Sequence, residues 1–141
     1  MSAPIYKGGS PYFKPALRTA GGVTSTSGKI GYATGAGGAV TQATNRSTGV
    51  TINKASGAIT TDATSLAAGA EATFTVTNSM VAVGDVVVVS ARSGQTAATS
   101  IPVVSAVAAG SFDITLTNLN ASTADTGAMI INFAVIKAVS A

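Results

Sequence analysis

The chain has 141 residues, enough for one domain with a hydrophobic core of its own. Charged residues make up only 9% of it, against about 25% in an average soluble domain, and the formal net charge is +3. Cysteine and histidine are both absent, which excludes disulfides, Ser-His-Asp and Cys-His nucleophilic sites, and the usual zinc and copper ligand sets; the expectation is a non-enzyme with no cofactor and no metal site.

The charges are unevenly placed. Residues 1–54 carry six lysines and arginines and no acid, whereas residues 55–141 carry Arg92 and Lys137 against Asp62, Glu71, Asp85, Asp113 and Asp125. Mean hydropathy is +0.45. Even so, the best apolar stretch, Ala128 to Val139, is about twelve residues long and holds Asn132 and Lys137, where a spanning helix needs ~20 apolar residues. Gly84-Asp85 interrupts the other candidate, Met80 to Ala91. Met1 to Lys7 lacks the apolar core of a secretory signal. No membrane partner is expected. A chain this poor in charge is expected to hide surface in an assembly.

Residues 1–22 differ from the rest. Pro4, Pro11, Pro15 and the pairs Gly8-Gly9 and Gly21-Gly22 disfavour a helix and predict an extended N-terminal arm. A flexible linker would be polar, but this segment carries Tyr6, Tyr12 and Phe13 among Lys7, Lys14 and Arg18. These six are the candidate contact residues. The alternative is a strand and loop packed on its own domain. The same side chains could follow phosphates and stack bases. Three charges in 22 residues are thin for that purpose, so the expected partner is an acidic protein surface and not nucleic acid.

Residues 23–141 predict one β domain. Short strands are expected at Lys29 to Ala33 and at Ala39 to Ala43. Val50 and Ile52, a Lys54-Ala-Ser-Gly turn, and then Ala58 to Thr60 read as a hairpin. Leu66 to Ala72 could form one helical turn. Thr73 to Thr77 alternates strictly, placing Phe74 and Val76 on one face. The valine run within Asp85 to Ser90 suits a strand buried on both faces. Thr99 to Val107 predicts an edge or bulged strand because of Pro102. Phe112, Ile114 and Leu116 alternate with polar residues, and Ala128 to Val139 closes the chain as a β run. About eight strands joined by Gly, Asn and Ser turns predict an all-β, two-sheet antiparallel jelly-roll sandwich, with an immunoglobulin-like sandwich as the alternative. Residues 67–78 echo residues 108–118, each a small-residue turn and an alternating strand ending in Thr-Asn. Composition bias in an Ala- and Thr-rich chain is the favoured explanation of that echo.

Motifs for chemistry are weak. Gly22 to Lys29 has one residue too many between its glycines for a phosphate loop, and Ile30 follows the lysine. Gly35 to Val40 lacks the third glycine of a dinucleotide fingerprint. Paired carboxylates could still meet in space, but the expected place for the five acids is at strand ends and on the solvent face.

A family resemblance covers about residues 30–138. It is carried by Gly31 to Gln42, Thr48 to Thr60, Ala67 to Asn78, Gly110 to Asn118 and Ile130 to Lys137. These strand and turn strings resemble the jelly-roll head-decoration (cement) proteins of tailed bacteriophages, such as that of a Bordetella phage. The resemblance implies a structural virion protein on the outer surface of the capsid, made in the host cytoplasm, that cements neighbouring major capsid subunits. It carries no catalytic positions. A homo-oligomer is expected, with a dimer favoured over a trimer because two-fold contacts are commonest. A phage tail-fibre or receptor-binding domain is the alternative.

Overall fold

Strands form where apolar and polar residues alternate. The computed structural model describes residues 27–28, 30–96 and 99–138. All its strands lie in one compact unit, Tyr32–Ala141. They are β1 (Gly37–Thr41), β2 (Val50–Thr51), β3 (Ser56–Thr60), β4 (Glu71–Thr77), β5 (Val86–Ser93), β6 (Ser100–Ala108), β7 (Ser111–Asn118) and β8 (Ile130–Ile136). Sheet A has the order β1-β3-β8-β5 and sheet B the order β2-β4-β7-β6. The expected all-β sandwich of eight strands is the observed architecture, and no α-helix occurs among the described residues.

One side chain in two points between the sheets. Ile59, Val87, Ile131, Phe133 and Val135 enter from sheet A, and Val50, Phe74, Val76, Phe112, Ile114 and Leu116 from sheet B. Phe112 and Phe133 join the sheets, with ring centroids 5.6 Å apart and planes tilted by 47°. Aromatic pairs in this geometry add to the burial of their area.

The strand order nests β3 with β8 and β4 with β7, and then adds β5 beside β8 and β6 beside β7. That is the rolled-hairpin nesting of a jelly roll, built here from six strands. The pairing is antiparallel within this set. The two outer strands depart from the all-antiparallel expectation: β1 runs parallel to β3, and β2 parallel to β4. The cause is the path of the chain, which alternates between sheets from β1 to β4 and so returns to each sheet in the direction it left.

This path also corrects the predicted hairpin. β2 and β3 lie in opposite sheets, because Val50, Ile52 and Ile59 all seek the one core. A Lys-Ala-Ser-Gly turn reads the same whether the chain folds back or crosses over. Three other expectations change. Residues 30–33 form no strand, and the first strand begins at Gly37. Leu66 makes an isolated antiparallel bridge to Asp125 instead of starting a helical turn. The valine run is buried on one face only: Val87 is buried while Val86 and Val88 stay about half exposed, since β5 is an edge strand whose outer face meets no further layer among the described residues. Pro102 does sit in an edge strand, and β6 is bulged between Val104 and Ala106.

The sequence echo is structural. Counted back from Asn78 and Asn118, the two strings equate Phe74 with Ile114, and these residues pair with each other in the β4–β7 register. A local two-fold therefore passes between the two strands. Asn78 N–H donates to Gly110 O at 2.8 Å, and Asn118 N–H to Ala70 O at 3.0 Å. Both asparagine side chains are fully buried. Asn118 Nδ2 faces the carbonyls of Leu66, Ala67 and Thr123, and Asn78 Nδ2 donates to Lys54 O. Each Oδ1 accepts the N–H two residues on. Composition bias is thus not the explanation: each site needs a side chain that both donates and accepts in a buried turn.

Gly57 is where β3 approaches its neighbours most closely. A Cβ there would stand 2.6 Å from Gly38 O and 2.9 Å from the Phe133 ring. Gly57→Ala is expected to cost about 2 kcal/mol through overpacking, read as a lower urea midpoint with an unchanged m-value.

Candidate functional site

The loops at one end of the sandwich gather around a buried ion pair. Arg46 and Asp125 are 3% and 0% exposed, with Nη2 3.6 Å from Oδ1. The guanidinium also donates to three carbonyls, those of Thr64, Asp125 and Gly127. Asp125 Oδ1 accepts the N–H groups of Thr96 and Gly127 at 2.9 and 3.0 Å. Burial works to raise the pKa of Asp125, but the Ser100 hydroxyl, the two N–H groups and Arg46 outweigh it and hold the carboxyl below its usual range. Gln42 completes the cluster. Its Nε2 donates to the carbonyls of Arg46 and Thr48, and its Oε1 accepts from Asp62 N–H. The cluster fastens the loop after β1 to the loop before β8.

This arrangement corrects one expectation: Asp125 is not on the solvent face. Nothing in the sequence points to the pair, whose members lie 79 residues apart.

At the opposite end Lys137 Nζ pairs with Asp85 Oδ2 at 2.5 Å and donates to Met80 O. The Asp85 side chain is 2% exposed and that of Lys137 63%. Lys137 first, and then the Ala82 N–H, hold the Asp85 carboxyl low. Asp62 is lowered by the hydroxyl and N–H of Thr64.

Between these ends lie two outer faces that differ in charge, although β6 also leaves Ile101 and Val103 about half exposed on sheet B. On sheet B the outward positions of β4 are Glu71, Thr73, Thr75 and Thr77, and those of β7 include Asp113, Thr115 and Thr117. The hydroxyls bond across the strands: Thr73 to Thr115, Thr115 to Ser105, Thr75 to Asp113 and Thr117 to Glu71. Glu71 and Asp113 stand four register steps apart, or roughly 14 Å, which is beyond the spacing of a carboxylate acid–base pair.

The outward register positions of sheet A carry no charge. β5 presents Val86, Val88 and Ser90, and β8 presents Ile130, Asn132, Ala134 and Ile136. β3 adds Ser56, Ala58 and Thr60, and β1 adds Gly37, Ala39 and Thr41. Val86 and Ile136 are register partners and are 51% and 54% exposed; Val88, at 50%, extends the same apolar corner. Arg92, exposed at the β5 bulge between Ala91 and Ser93, has no register partner. At the rim the Tyr32 hydroxyl donates to Val135 O.

The contact residues expected from the sequence, Tyr6, Lys7, Tyr12, Phe13, Lys14 and Arg18, lie outside the described residues. So does most of the Gly22 to Lys29 loop. Among the described residues no pocket opens on the surface, and no three acidic side chains converge on a metal position. What the arrangement offers is contact area, with a hydroxyl-and-carboxylate face on one side and a face uncharged at its register positions on the other. Comparison with protein-family models, curated proteins and solved structures finds no match.

Asp125→Asn is expected to destabilise by about 3 kcal/mol at neutral pH, because it leaves Arg46 buried without its counter-charge. In the parent chain Asp62, Asp85 and Asp125 all have lowered pKa values. The stability they contribute is complete above the ordinary carboxylate range and is lost as pH falls through their folded-state values. A thermal midpoint that is flat from about pH 5 to 8 and falls below about pH 4, with a shallower acid limb in Asp125→Asn, is the expected calorimetric result.

Proposed function

We propose that this chain is a structural assembly protein that binds the outer surface of a tailed-phage capsid and cements neighbouring major capsid subunits as a homo-oligomer. The observation that carries the reading is the exposed outer face of sheet A, uncharged at its register positions, with its apolar corner of Val86, Val88 and Ile136. A face that leaves such side chains in water is a contact surface. The strand strings that resemble head-decoration proteins supply the kind of lattice. Many copies on a repeating lattice hold firmly through weak single contacts, because each attachment raises the effective concentration of the next. That use needs area and rigidity, and the ion-paired loop cluster around Arg46 supplies rigidity at one end of the sheets.

The test is addition of the purified chain to phage heads stripped of their decoration protein. Saturable co-sedimentation with heads, and immunogold label on heads in whole virions, are the expected results; label confined to tail tips would replace this reading with a tail-fibre one. Removing residues 1–22, which hold Lys7, Lys14 and Arg18 and no acid, is expected to weaken head binding about tenfold at low salt and less at high salt. Binding that does not change on truncation would remove this segment from the interface.

A further inference from the structure

The buried ion pair does not close on itself. Arg46 Nη2 and Asp125 Oδ1 stand 3.6 Å apart, whereas a charge-assisted hydrogen bond between such groups closes at about 2.7–2.9 Å. Nη2 turns instead to the carbonyls of Asp125 and Gly127, and Nε to that of Thr64. Oδ1 takes the N–H groups of Thr96 and Gly127. The second atom of each charged group, Arg46 Nη1 and Asp125 Oδ2, is buried without a hydrogen-bond partner among the described residues. Ser100 Oγ is a third such atom, and its hydroxyl is one of the groups that act on the Asp125 carboxyl. Buried polar atoms in native proteins are met by protein or by ordered water.

These three atoms have requirements that narrow the ligand. Nη1 only donates, the ionised Oδ2 only accepts, and the Ser100 hydroxyl does either. The two formal charges cancel. An anion would face the Asp125 carboxylate and a cation the Arg46 guanidinium, so neither is favoured. A neutral molecule that both accepts and donates suits the set. Among the described residues no pocket opens to the surface, which limits its size to that of a single solvent molecule.

We propose that one internal water molecule is a resident part of this fold, held by Arg46 Nη1, Asp125 Oδ2 and Ser100 Oγ. It accepts from Nη1, donates one hydrogen to Oδ2 and directs the other to Ser100 Oγ. Three bonds are the usual number for a buried water, and opposite charges held more than about 3.5 Å apart are where a bridging one is expected. Thr99 Oγ1 is a fourth buried atom of this kind, but three partners already satisfy a water. The water joins the loop after β1, the first residue of β6 in sheet B and the loop before β8 in sheet A. It thus completes the polar fastening at this end of the sandwich, and it does not rest on the lattice reading.

The test is a crystal structure of the full chain at about 1.2 Å or better, with some crystals grown in bromide. One solvent oxygen at full occupancy, within about 2.7–3.2 Å of all three atoms, is the expected result. In solution, water-oxygen relaxation dispersion counts long-lived internal waters. Ser100→Val, whose methyl groups take the place of the water, is expected to lower that count by about one relative to the parent chain. Direct closure of Nη1 on Oδ2 with no solvent density between them would overturn the proposal. So would an anomalous bromide peak at this position, which would make the site an anion site. An unchanged count in a folded Ser100→Val chain would overturn it as well. If that variant does not fold, the electron density of the parent chain decides alone.

Discussion

Each strand of this sandwich can bury only one side chain in two, because two sheets share a single interior and no described element forms a layer outside them. The inner set, from Ile59 to Val135, is sealed around the Phe112–Phe133 contact. The outer set is free to vary without cost to the core. Sheet B fills its outer set with threonines, two carboxylates that accept from them, and Ile101 and Val103; sheet A fills its own with alanine, serine, threonine, asparagine, valine and isoleucine. Two surfaces of different chemistry follow from one packing constraint.

That constraint also explains what could be read from the residues alone. Period-two alternation is a local signal, so β4 and β7 were legible, with Phe74, Val76, Phe112, Ile114 and Leu116 all assigned to the core. Pro102 marked an edge strand for an equally local reason, the missing N–H donor. Sheet membership was not legible. The segment from Val50 to Ile59 looks like a hairpin because turn chemistry reports a change of direction and not which sheet receives the chain. The valine run misled similarly: four β-branched residues fit a strand covered on both faces, and only its place at the edge of sheet A leaves Val86 and Val88 in water. The outer face of sheet A itself was hidden, since it is assembled from four strands that are scattered between residues 37 and 136.

The buried polar groups were illegible for a different reason. Arg46 and Asp125 carry no local pattern, and in a chain so poor in charge each reads as a solvated side chain. Arg46 Nε and Nη2 reach three loop carbonyls and Asp125 Oδ1 accepts two loop N–H groups, whereas Arg46 Nη1 and Asp125 Oδ2 are buried without a hydrogen-bond partner among the described residues. Removing either partner would leave the other uncompensated in the interior. Asn78 and Asn118 follow the same logic without charge, and their matched bonds to Gly110 and Ala70 made the echo between the two strings a feature of the fold.

These polar groups lie at the ends of the sandwich and leave both faces flat. The Arg46–Asp125 cluster fastens the loops at one end, and Asn78 with the Asp85–Lys137 pair fastens those at the other. A loop fixed at the rim does not fold over the sheet beside it. It therefore neither shields Val86, Val88 and Ile136 nor competes with an incoming surface. A partner meeting sheet A would find a face already ordered, so little conformational entropy is lost on contact and a modest area can hold. Interior charge at the ends and uncharged register positions on the face are thus parts of one arrangement: the first keeps the loops in place, and the second leaves a flat surface open to contact.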